Sequence, residues 1–183
     1  MVTTRLYTSE DLYVMGSDAP FELIQGELIR VSPSSTRSNR VLSYVHFSLY
    51  AFVEAHGLGD VYVGEAGFTI EVDPDTVVGP DVAYVSNDRI PEPYPEKGFA
   101  EIVPSLIVEI VSPTDEPGDM RRKQAAYDRA AVPLVWWIDP IKKTASIHPY
   151  GEQPTRLVRT GMLDGESVLP GFSLSLEAVL SKF

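Results

Sequence analysis

Residues 106–113 read Leu-Ile-Val-Glu-Ile-Val-Ser-Pro, an apolar run with one carboxylate, Glu109, near its middle. Five of the first six residues are β-branched or leucine, and prolines at 104 and 113 bracket the run, which predicts a short strand buried on both faces. An ionised carboxylate in such a strand is costly unless a cation or hydrogen-bond donors compensate it. Glu109 therefore indicates a divalent metal or a lysine or arginine partner, with a position near the rim of the sheet as the simplest alternative.

A second strand of the same design carries Asp81. Residues 77–85 read Val-Val-Gly-Pro-Asp-Val-Ala-Tyr-Val, an apolar run entered through Gly-Pro with one carboxylate near its start. Two strands that each supply one acidic side chain suit a hard cation such as Mg²⁺, which prefers oxygen ligands. Asp81 also fits an ordinary turn position after proline. The two strands together favour the metal site.

Composition bounds the class of protein. The 183 residues are enough for one domain with its own core, and we expect residues 1–183 to form a single domain. The sequence has no cysteine, which excludes disulfides, thiolate metal sites and cysteine nucleophiles, and its three histidines are far apart. No segment has the pattern of a signal peptide or a transmembrane helix, so we expect a cytoplasmic protein without membrane contact.

The formal net charge of −11 argues against a protein that coats nucleic acid without specificity, because lysine and arginine carry phosphate binding. A local basic face is still compatible with that charge, and a bound cation would offset part of the acidic excess. Any affinity for DNA is expected to be weak unless the following cations gather on one face: Arg37, Arg40, Arg121, Arg122 and Lys142.

The N-terminal segment predicts a short helix and a hairpin. Residues 8–16 begin with a hydroxyl cap and an acidic first turn and end at glycine. Residues 21–31 are two apolar strands joined through Gln25-Gly26. Glu22 and Glu27 flank that turn, and a solvated position is the simpler expectation for each.

A long helix follows the hairpin. Apolar residues recur at helical spacing over residues 38–56, which predicts the first large core helix. Arg37 and Arg40 lie at its start, where a helix N-terminus attracts anions; a phosphate contact there is one interpretation, and a solvated arginine pair is the simpler one. Residues 61–85 are strand-like, and the proline-rich loop over 86–104 is long enough to cover a site or contact a partner.

The second half alternates strands and helices. A helix is predicted from Pro117, in its first turn, to Ala131. Asp119, Lys123 and Tyr127 are successive i+4 neighbours and share one face of it. A surface salt bridge between Asp119 and Lys123, with Tyr127 half buried, is the simplest interpretation of that face. Strands are predicted over 133–140, 143–150 and 153–160, and a short strand and helix over 172–183.

Several motifs in combination resemble the Uma family of restriction endonucleases, within the PD-(D/E)XK nuclease superfamily. They are Phe21-Glu22-Leu23-Ile24 followed by Gly26-Glu27-Leu28, Pro80-Asp81-Val82, Val108-Glu109-Ile110-Val111, Lys123 with Tyr127, and Trp137-Ile138-Asp139-Pro140. The resemblance covers about residues 8 to 150, and its motifs are specific only in combination. It implies an α/β (α+β) fold with a restriction-endonuclease-like core, in which helices flank a central mixed β-sheet, with an added N-terminal hairpin and C-terminal β-strands.

The resemblance also implies a magnesium site, with Mn²⁺ as the alternative metal. Asp81, Glu109 and the backbone carbonyl of Ile110 would hold the metal. Val111 lies on the same side of the strand as Glu109, in the place of the usual motif lysine, and Lys123 on the next helix would take over that role by orienting the attacking water and offsetting charge on the phosphate. Further site residues implied are Glu27 as a catalytic carboxylate, Glu22 as a less favoured choice for the same place, and Tyr127 as a supporting wall residue.

One position departs from the family pattern. Ser38 stands where family members commonly carry a histidine at the start of the long helix.

Two functions are compatible with the sequence. The first is a magnesium-dependent DNA endonuclease, a hydrolase with weak intrinsic affinity for DNA that we expect to act as a homodimer. The second is a noncatalytic binding or assembly module that retains the nuclease fold. Hydrolysis of another phosphoester is a weaker third possibility, since fold and site resemblance do not choose a substrate.

Overall fold

The computed structural model describes residues 5–16, 19–64 and 66–181. Its helices are α1 (Ser9–Met15), α2 (Thr36–His56), α3 (Pro117–Arg129) and α4 (Leu176–Leu180), with a short 3₁₀ turn at Asn87–Arg89. Its strands are β1 (Phe21–Ile24), β2 (Glu27–Arg30), β3 (Gly59–Val63), β4 (Phe68–Glu71), β5 (Thr76–Val78), β6 (Val82–Ser86), β7 (Leu106–Ile110), β8 (Leu134–Asp139), β9 (Thr144–Pro149), β10 (Thr155–Val158), β11 (Met162–Asp164) and β12 (Ser173–Ser175).

A six-stranded mixed sheet forms the centre of the fold. Its strand order is β10-β9-β8-β7-β6-β3, and β7 and β8 are its parallel pair. Parallel neighbours need a crossover connection, and α3 provides it between β7 and β8. All five residues of β7 are buried, as the apolar sequence of the strand predicts. The expected fold class, a central mixed sheet flanked by helices, is confirmed.

The two faces of this sheet carry separate cores. On one face α2 and α4 pack against β6, β7 and β8, with α2 contributing Val41, Val45, Leu49 and Val53. On the other face, Ile107, Val135 and Trp137 pack against Tyr127 of α3 and against residues of the second sheet. Because β-strand side chains alternate between faces, β7 sends Val108 to the α2 face and Glu109 to the α3 face.

The second sheet has four strands in the order β2-β1-β5-β4 and contains the expected N-terminal hairpin. The hairpin turn places Gln25 and Gly26 at φ 51° and 77°, the left-handed region that a two-residue turn with the twist of the strands requires. A Cβ at position 26 would also lie 2.7 Å from the Cβ of Leu6. Glycine is therefore needed there both for its left-handed backbone and because a side chain has no space.

Most elements predicted from local pattern are confirmed. Thr8 caps α1 through a reciprocal capping box with Asp11, and Gly16 and Gly57 end α1 and α2. The short strand and helix predicted at the C-terminal end are β12 and α4, whereas β11, which pairs with β12, was not predicted, because a strand of three residues is too short to show a period. The loop after β6 is irregular, yet it inserts Ala100 and Ile102 into the core beside β4. No helix in the described ranges is long and apolar enough to cross a membrane.

Candidate active site

The register of β6 and β7 brings the two predicted carboxylates together. Val82 pairs with Val108 in this antiparallel ladder, and extending the register by one residue sets Asp81 opposite Glu109. Directly opposed residues lie on the same face of a sheet. The backbone N–H of Ile110 donates to Asp81 Oδ2 over 2.7 Å, which holds the Asp81 carboxylate against the end of β7.

Glu109 is 6% exposed and is surrounded by charge. Lys123 Nζ lies 2.8 Å from Glu109 Oε1, and the hydroxyl of Tyr127 donates to the same oxygen. Burial raises the pKa of Glu109 to about 7; Lys123 opposes that shift, and the charges of Asp81 and Glu22 add to it. The attraction of one ammonium is thus smaller than the cost of burying the carboxylate beside two others.

Lys123 extends from α3 toward the carboxylate of Glu109, and its side chain is 16% exposed. Its Nζ forms ion pairs with Glu109 at 2.8 Å and with Glu22 at 3.0 Å. Burial alone would lower the pKa of Lys123, but these two carboxylates hold it well above its usual value. The simpler expectation of a surface salt bridge to Asp119 was therefore wrong, because a buried pair of carboxylates lies within reach.

Tyr127 follows Lys123 by one helical turn and is fully buried rather than half buried. Its hydroxyl group would be costly to bury without a partner, and Glu109 accepts its hydrogen bond. Burial, followed by the charge of Glu109, holds the pKa of Tyr127 well above its usual value, so the side chain stays a neutral donor. The predicted common face of Lys123 and Tyr127 is confirmed.

The third carboxylate of the site is Glu22, which was expected to be solvated and ranked below Glu27. It is 6% exposed, accepts the backbone N–H of Gly79 over 2.8 Å and binds Lys123. Glu27 instead has a 61% exposed side chain, 3.5 Å from Arg122. The expected solvated position of Glu22 was wrong, because β1 is an inner strand that faces α3, whereas β2 is the edge strand of its sheet. A catalytic role for Glu27 stays a prediction.

A cavity of about 570 Å³ opens over these groups. Its lining includes Glu22, Asp81, Glu109, Ile110 and Lys123. Phe99 also lines it, so the proline-rich loop does reach the site, as one interpretation of its length proposed. Arg30 at the end of β2 is a further lining residue that sequence reasoning missed; the signal for it was a cation at the end of a hairpin strand whose two central residues are apolar.

The residues at the start of α2 lie elsewhere. Ser38 is 3% exposed and its hydroxyl lies 2.9 Å from that of Ser35, the residue that caps the helix. Arg37 and Arg40 are exposed on the first turn of α2. Among the residues that the structure describes, none of these three lines the cavity. Ser38 therefore has a structural role at the helix cap, and phosphate contact by either arginine stays a prediction.

The chemistry of the donor set fits a divalent metal. Three carboxylates, Glu22, Asp81 and Glu109, face one ammonium, and burial, together with the charges of Asp81 and Glu22, raises the pKa of Glu109. Across residues 5–16, 19–64 and 66–181, no group of three or more acidic, cysteine or histidine side chains is arranged to hold a metal ion by itself. Such a group is not required, because Mg²⁺ keeps several waters and commonly takes one or two carboxylates together with substrate phosphate.

Comparison with known proteins agrees with the geometry. The model of the family Uma2, described as "Putative restriction endonuclease", matches residues 6–177. A crystal structure from Anabaena variabilis ATCC 29413, described as "a putative nuclease belonging to DUF820", matches with a TM-score of 0.82 and 18% sequence identity, over 95% of this chain and 97% of that chain. At that identity the likeness shows the fold. No curated protein matches the chain.

Proposed function

The chain belongs to the Uma2 family, and from this premise we propose that it is a metal-dependent DNA endonuclease that hydrolyses phosphodiester bonds. The observation that carries the proposal is the buried Lys123 ammonium, which lies between Glu109 and Glu22 on the floor of the cavity beside Asp81. Carboxylates and a fixed cation in one cleft are the groups that phosphodiester hydrolysis needs.

In this proposal Asp81, Glu109 and the carbonyl of Ile110 hold Mg²⁺ or Mn²⁺. The bound metal would supply an activated water and polarise the phosphodiester. Lys123 orients the attacking water and offsets charge that grows on the phosphate. Because Glu109 and Glu22 hold its pKa well above the usual value, Lys123 stays charged at neutral pH and acts as an electrostatic group rather than as a base.

Three other side chains support this arrangement. Glu22 fixes the position of Lys123 through their 3.0 Å ion pair. Tyr127 orients the Glu109 carboxylate by donating to Oε1. Arg30 lines the cavity and is the cation that we assign to the phosphate of the substrate.

A specific observation also favours the noncatalytic alternative. Glu22, Glu109, Lys123 and Tyr127 already form a connected network of ion pairs and a hydrogen bond within the protein. Such a network would persist in a module that kept the nuclease fold for structure alone. The net charge of −11 agrees with the noncatalytic alternative, since it opposes DNA binding. The two functions differ in metal binding and turnover.

Calorimetric titration of Mg²⁺ and Mn²⁺, with and without short duplex DNA, tests the metal site. We expect wild type to bind metal and Asp81→Ala and Glu109→Ala to lose binding, because each removes one proposed ligand. Glu152→Ala is the matched control, since Glu152 is exposed on the β9–β10 hairpin and distant in the fold from the cavity. Absence of binding to wild type even with DNA would support the noncatalytic module.

Cleavage of supercoiled plasmid then tests the role of Lys123. We expect Lys123→Ala to bind metal yet lose about 100-fold or more in turnover, the size reported for removal of one preorganised electrostatic group. The control is Lys97→Ala, at an exposed lysine in the loop after β6. Equal turnover in Lys123→Ala and wild type would remove Lys123 from the mechanism.

A further inference from the structure

A row of paired residues crosses the central sheet away from the candidate active site. Glu109 pairs with Trp137 across β7 and β8, Trp137 pairs with Ser146 across β8 and β9, and Ser146 pairs with Arg156 across β9 and β10. Residues that are directly opposed share a face, so these four side chains stand in line on the α3 face of the sheet. The row starts at a proposed metal ligand and ends at an arginine on the edge strand.

The far end of the row lies in a second cavity of about 330 Å³. Ser146 and Arg156 line this cavity, together with Lys142 from the turn between β8 and β9. Met120 and Trp137 line both this cavity and the first one. The two cavities are therefore neighbours that share these two lining side chains.

The charge of the second cavity is opposite to that of the first. Arg156 is exposed, and among the residues that the structure describes no carboxylate oxygen lies within 4.0 Å of its guanidinium group. Lys142 has a 72% exposed side chain and pairs with Asp139 over 3.0 Å. Two cations against one carboxylate leave the second cavity cationic, in a protein whose net charge is −11.

The polar groups around these cations suit a phosphate. Ser146 contributes a hydroxyl on the same row as Arg156, and it lies 2.9 Å from His148 Nε2. Burial lowers the pKa of His148, against the opposing charge of Asp128, so this histidine is neutral at pH 7 and adds no charge. A guanidinium with an adjacent hydroxyl forms charge-assisted hydrogen bonds to phosphate oxygens.

The spacing of the row fits a nucleic acid backbone. Three strand spacings of about 4.8 Å separate Glu109 from Arg156, which is about 14 Å in total. Duplex DNA carries one phosphate per strand for about every 3.4 Å of its axis. Because each strand also winds around the axis, two of its phosphates that are about 14 Å apart in space are separated by at most about four base pairs, and Arg156 would contact a phosphate within that range of the one at Glu109.

We propose that the second cavity is a phosphate subsite, in which Arg156 and Lys142 bind the backbone of a nucleic acid strand within about four base pairs of the scissile phosphate. The proposal rests on the proposed function of the first cavity, because it assigns the path of that substrate. It explains how an acidic protein holds DNA: a cationic end of the row anchors the strand, and the acidic end carries the metal.

The test compares Arg156→Ala and Arg156→Lys with Arg159→Ala. Arg159 is the matched control, an exposed arginine in the turn directly after β10 that pairs with Glu177. With duplex substrates in steady state, we expect Arg156→Ala to raise KM about tenfold at unchanged kcat, as for loss of one charge-assisted hydrogen bond. The slope of log KM against log salt should fall by about 0.9, one phosphate contact, in Arg156→Ala but not in Arg156→Lys.

A substrate series adds a positional readout. Duplexes are shortened base pair by base pair on one side of the cleavage position, and we expect the difference between wild type and Arg156→Ala to disappear when the contacted phosphate is removed, at a length of about four base pairs or fewer on that side. Equal KM and equal salt slopes in wild type and Arg156→Ala, with cleavage intact, would overturn the subsite and leave the proposed function standing.

The experiments distinguish failure of the proposed endonuclease function from failure of the proposed phosphate subsite. If wild type does not cleave, binding of a labelled duplex without metal is measured for the same variants. Weaker binding and a shallower salt slope in Arg156→Ala than in Arg159→Ala would support the subsite although cleavage had failed. Absence of binding to wild type, or identical binding by Arg156→Ala, would overturn the subsite.

Discussion

At the scale of single residues, the site depends on how Glu109 is compensated. Its carboxylate is buried in the middle of an apolar strand, and both Lys123 and Tyr127 act on the same oxygen. The compensation is incomplete, because burial and the two other carboxylates keep the pKa of Glu109 raised. A site that is poorly compensated without a metal has a physical reason to bind one, and two single substitutions test that statement.

The first substitution is Asp81→Asn, which removes a charge and keeps an oxygen that can accept from the N–H of Ile110. We expect the metal-free protein to become more stable, since the repulsion that Asp81 exerts on Glu109 is relieved. A gain of about 1 kcal/mol would raise Tm by about 2–4 °C in a domain of this size. Thermal unfolding in the presence of a chelator measures it, and a lower Tm would indicate that Asp81 is a structural partner instead.

The second substitution is Glu109→Gln, and its readout is the pH dependence of stability. The pKa of Glu109 is about 7 in the folded protein against 4.5 for an ordinary glutamate. Between these values the folded state holds one more proton than the unfolded state, so the free energy of unfolding falls as pH rises from about 4.5 to 7. The contribution is of the order of 1–3 kcal/mol. Denaturant unfolding of metal-free protein should therefore show a flatter profile in Glu109→Gln and an unchanged one in Glu152→Gln.

At the scale of secondary-structure elements, the helices position the site by packing on opposite faces of the sheet. α3 carries Lys123 and Tyr127 toward Glu109, while α2 fills the opposite face with a stripe of apolar residues. β1 adds Glu22 from the second sheet, so a helix and two sheets meet at one ion-pair network. The rigidity of the central sheet, and hence the spacing of the carboxylates, depends on the α2 core.

The contribution of α2 is measured by a pair of substitutions two residues apart. Leu49 is fully buried and Phe47 is 69% exposed. We expect Leu49→Ala to lower the free energy of unfolding by about 2–5 kcal/mol, because it leaves a cavity between α2 and the sheet. Phe47→Ala, which removes a larger side chain, should change it by about 0.5 kcal/mol or less. Urea unfolding measures both, and similar losses in the two variants would contradict the packing described.

At the scale of the whole molecule, charge is distributed unevenly around an acidic average. The cations whose gathering on one face would strengthen DNA binding are divided, because α2 carries Arg37 and Arg40 and α3 carries Arg121 and Arg122 on opposite faces of the central sheet. The cations that do lie together are Arg156 and Lys142 in the second cavity. DNA binding by one chain is thus expected to rest on few phosphate contacts.

The salt dependence of DNA binding measures that number. We expect the slope of log K against log salt for wild type to lie between about −2 and −4, which corresponds to two to four phosphates. Fluorescence anisotropy with a labelled duplex gives the slope at several protein concentrations. A slope steeper than about −6 would show a larger basic surface. The expected homodimer is one way to build such a surface, and sedimentation at the same concentrations tests it.

The sequence by itself determined the elements that depend on local pattern. The elements identified in this way are the strand around Glu109, helix α1 from its hydroxyl cap and acidic first turn, the Gln25-Gly26 turn, and α2 from its helical period, because period, cap and turn geometry are properties of neighbouring residues. The family motifs also pointed to Asp81, Glu109 and Lys123, which the structure brings together.

Only the tertiary structure decided which side chains meet. Glu22 rather than Glu27 reaches Lys123, because the two sheets pack so that β1 faces α3 and β2 lies at an edge. Arg156 shares a row with Glu109 although 46 residues of sequence separate them, because three successive strand registers align them. Strand order and register are set by long-range packing, and no local period in the sequence encodes them.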